Sequence, residues 1–345
     1  MMMLLEWHHG SNAWDEFFGH YPVLFKEGQE VVKINPNNFA QDINGNSIDI
    51  TSGNAGDVMI AFPRRGLTIS TSQDGNTVTV SMTDDLDNAE FDFMAHKRGD
   101  TLKDKFYLGA YKGYVTSSKL RSLSGKTITA NQTIGTFRTQ AQANGVPDGN
   151  GGSGYDQSAF YQLTYRQAMY ILKYKNLDSQ TAVGRGFVDG NSAATTTGNT
   201  NTNGMDYGET TGKIQMKLFG LEDFWGNVYE FIDGLYSDAS RNIMTATQGF
   251  NDTGSGYTNQ GQGAPSTMES YMSKPQGGTH TGFIAKEVSG SETTYFCDHV
   301  YLNAPRLAFF GSGWSKASYA GAFPLSVSPS ASSSSAAYAA RLMYL

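Results

Sequence analysis

One cysteine, Cys297, is the only thiol in the 345-residue chain. That excludes an intrachain disulfide, a redox thiol pair and any zinc site built from several thiolates. Charge is also sparse: Asp, Glu, Lys and Arg make up 17% of the residues, and the formal net charge is −7. A chain of that sign has little general affinity for a phosphate backbone, so nucleic acid is not an expected partner. No apolar run reaches the ~18 residues of a membrane span, and no membrane insertion is expected. The stretch Met1 to Trp7 has neither a basic n-region nor a long apolar core. It does not read as a signal peptide, and synthesis in a cytosol without a classical secretion signal is the expectation.

What the chain does have is glycine, 40 residues of it, together with 20 Phe, 19 Tyr and 4 Trp. The aromatics supply enough apolar surface for a folded core, and the glycines imply many loops. Residues 1 to 55 mix aromatics (Trp7, Trp14, Phe17, Phe18, Tyr21) with turn-rich segments such as Asn35-Pro36-Asn37-Asn38. They read as an N-terminal β or arm appendage, serving oligomerisation or attachment to a larger particle. Short β-like runs follow at Val58 to Phe62, Leu67 to Thr71 and Thr77 to Met82, with a hairpin signal at Asp74-Gly75-Asn76. Phe106 to Tyr114 reads as a further, buried strand. Thr164 is placed to cap a helix running to Lys175, because Tyr165, Ala168, Met169 and Leu172 recur at helical spacing. Asn144 to Tyr155 and Asp189 to Lys213 read as surface loops, and Gly249 to Gly282 as irregular. Together these features predict an irregular α+β fold without internal repeats.

The segment Leu218-Phe219-Gly220-Leu221-Glu222-Asp223-Phe224-Trp225-Gly226-Asn227-Val228-Tyr229-Glu230-Phe231 resembles the G-N-V-W-E-W signature of C-type-lectin-fold domains of the formylglycine-generating-enzyme type. Three further pieces fall in that family's order: the helix opened by Gln162-Leu163-Thr164-Tyr165, Arg306 followed by Gly311-Ser312-Gly313-Trp314-Ser315, and the closing Ala339-Ala340-Arg341-Leu342. Within the superfamily, Gly311 to Trp314 followed by Ser318-Tyr319-Ala320-Gly321-Ala322-Phe323 is similar to phage tail and receptor-binding proteins, including the variable proteins of diversity-generating retroelements. The resemblance implies a C-type lectin-like ligand-binding domain over residues 56–345, with a variable-type surface over about 306–341. It further implies a homotrimer on a virion tail, contacting other tail proteins and binding a host cell-surface protein or glycan. The competing readings are a small-molecule oxidase of the formylglycine-generating type and a purely structural virion protein.

The oxidase reading lacks its chemistry, because those enzymes use a pair of cysteines and this chain has one. Cys297-Asp298-His299 places three reactive types side by side, but successive strand residues point to opposite faces. A buried, inert thiol is the expectation, and no catalytic residue is assigned. His8, His9, His20, His96 and His280 have no metal-ligand spacing. In the related enzymes the segment matching Asp223 to Glu230 wraps a structural calcium. The resemblance therefore implies hard oxygen ligands from the Asp223 and Glu230 side chains and from carbonyls near Gly226 and Val228. The alternative is that Glu230 pairs with a neighbour while Trp225 and Tyr229 pack the core.

After Asp298 there is no acidic residue, and Ser and Ala dominate from Ser312 to Arg341. A linker would have that composition, yet Phe323, Leu325 and Val327 alternate with Pro324, Ser326 and Ser328. Alternation of this kind marks a half-buried strand with one face in the core. The other face carries small polar residues and occasional Tyr, the composition of adaptable binding surfaces. The candidate ligand-binding residues are Ser312, Gly313, Ser315, Lys316, Tyr319, Pro324, Ser326, Ser328, Pro329, Ser333, Ser335, Ala337 and Tyr338.

Overall fold

The computed structural model describes residues 11–74, 77–145, 153–293 and 296–345. His8, His9 and the tip of the hairpin expected at Asp74-Gly75-Asn76 lie outside them. Seven strands form one sheet and nine another. Numbering the strands of these two sheets along the chain, the first holds β1 (Tyr21–Lys26), β2 (Gln29–Asn35), β3 (Asn38–Asp42), β4 (Asp57–Pro63), β5 (Lys105–Gly109), β6 (Tyr155–Gln157) and the final strand, β16 (Leu342–Tyr344). Their order is β6-β16-β5-β4-β1-β2-β3, antiparallel throughout. The second sheet holds β7 (Tyr229–Ser237), β8 (Asn242–Thr245), β9 (Thr258–Gln262), β10 (Met268–Pro275), β11 (Ala285–Val288), β12 (His299–Leu302), β13 (Arg306–Phe310), β14 (Leu325–Val327) and β15 (Tyr338–Ala339). Its order is β9-β8-β7-β13-β14-β12-β10-β11, with β15 lying parallel to β7. Strands dominate and helices are few, an α+β arrangement.

Strand β4 explains why the first sheet is central. Val58, Ile60 and Phe62 enter the principal core, while Met59 and Ala61 enter a second core on the other face. A strand covered on both sides must be apolar at consecutive positions, and this one is. The segment before residue 55, expected as an appended arm, is part of the same sheet. Strand β1 pairs with β4 from Tyr21↔Ala61 to Phe25↔Asp57, and Phe18, Leu24, Ile34 and Phe39 sit in the principal core. The boundary drawn there thus falls inside one continuous sheet.

Helix α1 (Ala13–Phe18) precedes that sheet, and α2 (Ile134–Gln142) packs Ile134, Phe137 and Ala141 into the second core. Helix α3 (Phe160–Tyr174) begins four residues earlier than its predicted cap at Thr164. Ala159 is extended, bridges to Asp233, and accepts the first helical bond from Leu163 N–H. Burial of Phe160, Tyr161 and Leu163 carries the helix upstream of the local capping signal. All of its residues except Ile171 and Leu172 are buried, so its polar side chains must find partners inside. Gln162 Nε2 donates to the Ala95 carbonyl at 2.6 Å, and Lys173 Nζ reaches Asp15 at 2.7 Å.

His96 is wholly buried, with its ring against Phe106 and Tyr165 and Nε2 3.3 Å from the Phe62 carbonyl. Burial pushes its imidazole down to about 3 from an ordinary 6.5. Below pH 6.5 the unfolded chain takes up a proton at this residue that the folded chain does not. Its contribution to stability is complete above that pH and is lost as pH falls towards about 3. Relative to a His96→Phe variant, the wild type should lose about 1.4 kcal/mol per pH unit below 6.5. Urea titrations of both proteins between pH 7 and 5 check this, and a constant difference would refute it.

Candidate ligand-binding face

The chain from Trp314 to Phe323 has almost no regular structure of its own, only a turn of 3-10 helix at Ala317–Tyr319. Its backbone is held from outside. Gln180 Nε2 donates to the carbonyls of Ala317 and Ala320 at 2.9 and 2.8 Å. Gln167 Nε2, from α3, donates to the Ala322 carbonyl at 2.9 Å. The N–H groups of Ala322 and Phe323 donate to Ser179 Oγ (2.9 Å) and Asp298 Oδ2 (3.1 Å). Burial pushes the Asp298 carboxyl well above its ordinary range, with the Phe323 N–H bond opposing the shift. Gly321 has to be glycine, since a Cβ would lie 1.7 Å from Asp298 Oδ1 and 2.5 Å from Ser179 Oγ. The backbone of the segment is thus fixed by side chains distant in sequence, of which Gln167, Ser179 and Asp298 are buried and Gln180 is half-buried.

Beyond the segment, β14 carries Leu325 and Val327 into the principal core beside Phe323. Pro324, Ser326 and Ser328 lie on the opposite face of the sheet. There they line a shallow concavity of about 150 Å³ with Ser312, Lys316 and Tyr319. Five residues not anticipated from the sequence complete its lining: Tyr229, Glu269, His299, Tyr301 and Phe309. Their signal was present, because His299 and Tyr301 alternate with the buried Val300 and Leu302. The Tyr319 ring stacks on His299 at 4.1 Å and 6°, and it is 41% exposed. Tyr271 stands edge-on to both, its hydroxyl 3.0 Å from Ser318 Oγ, which in turn donates to Glu292. Burial holds the His299 imidazole below its usual value, with Glu269 opposing and Lys316 reinforcing the shift.

Several of the expected site residues, some of them lining the concavity, are buried or serve the backbone around them. Ser326 is only 7% exposed, its Oγ accepting from Tyr301 N–H. Ser312, Gly313, Pro324 and Pro329 are buried, and the Pro329 carbonyl accepts from Leu307 N–H. Ser315 is exposed but does not line the concavity. Ser333 and Ser335 brace their own turns, accepting from Ser330 and Ala337 N–H, and Ala337 is half-buried. Tyr338 is half-buried and packs on Phe309, Phe231 and Tyr229 at 5.2–5.9 Å, which makes it structural as well as outward. Arg341, placed at the end of the surface stretch, is fully buried. The Asp189 to Lys213 loop is no free excursion either, because Gly198 and Thr200 N–H groups donate to the buried Glu222 carboxylate.

The calcium site implied for Asp223, Gly226, Val228 and Glu230 does not fit these residues. Glu230 faces three cations: Lys112 Nζ at 2.9 Å, Arg341 Nε at 2.8 Å and Arg166 Nη2 at 3.3 Å, all fully buried. The Arg341 guanidinium also donates to the carbonyls of Gly109, Ala110, Glu222 and Asp223. An arginine thus supplies the positive charge, and a divalent ion among three cations would be repelled. Asp223 Oδ2 accepts from Gln215 and Asn227, and burial together with Glu222 pushes its carboxyl up to about 7. Chelator should leave the melting temperature unchanged, whereas a folded-state calcium ligand would make it fall.

Cys297 and Asp298 precede strand β12, which begins at His299, and Cys297 has a left-handed backbone with φ of 46°. Asp298 points into the core and His299 onto the outer face, while burial pushes the Cys297 thiol up to about 11. A thiol so rarely ionised is a poor nucleophile at neutral pH. Among the described residues, no helix is long and apolar enough to cross a membrane.

No family model and no curated protein matches this chain. Among solved structures it is similar to that of PvdO from Pseudomonas aeruginosa, with a TM-score of 0.35 and 10% identity, over 86% of this chain and 97% of that one. A likeness of that strength assigns neither family nor activity.

Proposed function

We propose that this chain is a non-enzymatic receptor-binding protein of a phage or prophage tail, with a C-type lectin-like fold that displays the Trp314–Ser328 region to a host surface. One observation carries the reading: the backbone of Ala317–Phe323 is anchored by Gln167, Ser179, Gln180 and Asp298, none of which belongs to the segment. A surface built in this way can change its outward side chains without losing its shape. The lectin-type assignment draws support from the order of the resembling pieces, and from Arg341 near the chain end bonding the carbonyls of Glu222 and Asp223. Assembly as a homotrimer would multiply a weak contact through effective concentration.

The test is attachment of the labelled protein to host cells. A Lys316→Ala, Tyr319→Ala double variant should melt close to the wild type, since both residues are exposed. Its attachment should fall by about tenfold or more, as expected when an aromatic anchor is truncated. Undiminished attachment by a folded double variant would place recognition elsewhere.

A further inference from the structure

We propose that the concavity beside Tyr319 takes one neutral pyranose residue of a surface glycan, its ring stacked on the open face of Tyr319 and its hydroxyls bound by Glu269 and Lys316. The proposal rests on the receptor-binding reading above and names the chemistry of the partner.

The stacking face follows from ring geometry. His299 covers one face of Tyr319 at 4.1 Å, nearly parallel. Tyr271 lies 5.8 Å from Tyr319 and 5.5 Å from His299, almost equidistant. It therefore stands beside the stack and not over its far side, where its distance to His299 would be much greater. The other face of Tyr319 is left to solvent, consistent with its 41% exposure. The ring is also braced by His299 on one face and by Tyr271 at its edge, so part of its freedom is already lost before binding.

The rim supplies the rest. Glu269 and Lys316 are both exposed and line the same concavity, one acceptor and one donor of opposite charge. Vicinal hydroxyls satisfy both, whereas a charged ligand satisfies one and is repelled by the other. A pyranose also presents a face of C–H groups, which suits the electron-rich face of an aromatic ring. At about 150 Å³ the concavity is well below the ~300–1,000 Å³ of pockets that engulf whole small molecules. A single sugar unit at the end of a longer chain matches that size better than an enclosed metabolite.

Saturation-transfer NMR on the full chain tests this, in EDTA, with methyl glycosides of glucose, galactose, mannose, fucose and N-acetylglucosamine as probes. At least one should receive saturation at its ring protons. Tyr319→Ala should weaken that binding by about tenfold, while Tyr319→Phe, which keeps the ring, should stay within about threefold. Glu269→Gln, on the exposed rim, is the second variant and should weaken binding measurably if Tyr319→Ala fails to fold. Absence of binding by every glycoside, or binding that neither Tyr319→Ala nor Glu269→Gln weakens, overturns the proposal. If Tyr319→Ala loses host attachment while no glycoside binds, the partner is a protein, and the receptor-binding reading survives without the sugar. If a glycoside binds through Tyr319 while attachment is unaffected, the sugar site stands and the receptor-binding reading fails.

Discussion

Replacing Glu230 by Gln should destabilise the protein by about 3–5 kcal/mol, the cost of leaving a buried ion pair half made. The substitution keeps the shape of the side chain and removes only its charge. Lys112, Arg166 and Arg341 then face one another, all with 0% side-chain exposure. Burial alone would raise the Glu230 carboxyl, but the three cations outweigh it and hold it well below its ordinary range. The charge is therefore fixed in the folded state across the neutral range. Since whole proteins have net stabilities of ~5–15 kcal/mol, the loss is a large fraction of the total. Arg341 extends the damage, because its guanidinium ties the last strand to carbonyls at Gly109, Ala110, Glu222 and Asp223. Urea denaturation measures the effect, and a loss under about 1 kcal/mol would mean that water reaches the cluster.

Phe323→Ala is the second large effect, at about 3–5 kcal/mol for an aromatic removed from a packed core. The ring is fully buried, 5.0 Å from Phe296, 5.3 Å from Phe283 and 5.7 Å from Tyr170. Four positions earlier, Tyr319→Ala removes a ring that is 41% exposed and lies outside the core, and it should cost about 1 kcal/mol or less. The contrast between the two substitutions separates the anchored face of the segment from its displayed face. Equal melting temperatures for the two variants would show that no such division exists.

Much of this was legible in local patterns. The alternation from Phe323 to Ser328 marks Leu325 and Val327 as core residues, but it does not show that Pro324 and Ser326 are buried as well. The strands at Val58 to Phe62 and Leu67 to Thr71 agree with Asp57–Pro63 and Gly66–Thr71 to within a residue. Helix α2 was legible but unread: Thr133 accepts from Thr136 N–H as a cap, and Ile134, Phe137 and Ala141 fall at spacings of three and four. Strand β9 was hidden, because Thr258–Gln262 is polar throughout and lies at a sheet edge, mostly exposed. What local sequence could not carry was partnership across the chain. Nothing near Gln180 announces that it holds Ala317, 137 residues away. Nor does anything near Glu230 announce three buried cations drawn from Lys112, Arg166 and Arg341. The calcium implied for that carboxylate has to compete with these three cations. A carboxylate in a strand looks the same in sequence whether its neighbour is a metal or a guanidinium.

On the receptor-binding reading the backbone of the 314–328 region is held by buried residues and by partners outside it, and recognition falls to its exposed side chains. Simultaneous replacement of Ser315, Lys316, Tyr319 and Ser328 by Asn, Glu, Ser and Thr tests it, with thermal melting and host-cell attachment read on the same preparation. The expected result is a melting temperature within a few degrees of the wild type, as for other substitutions away from the core, with attachment lost. Collapse of the fold, or attachment that survives all four replacements, would contradict it.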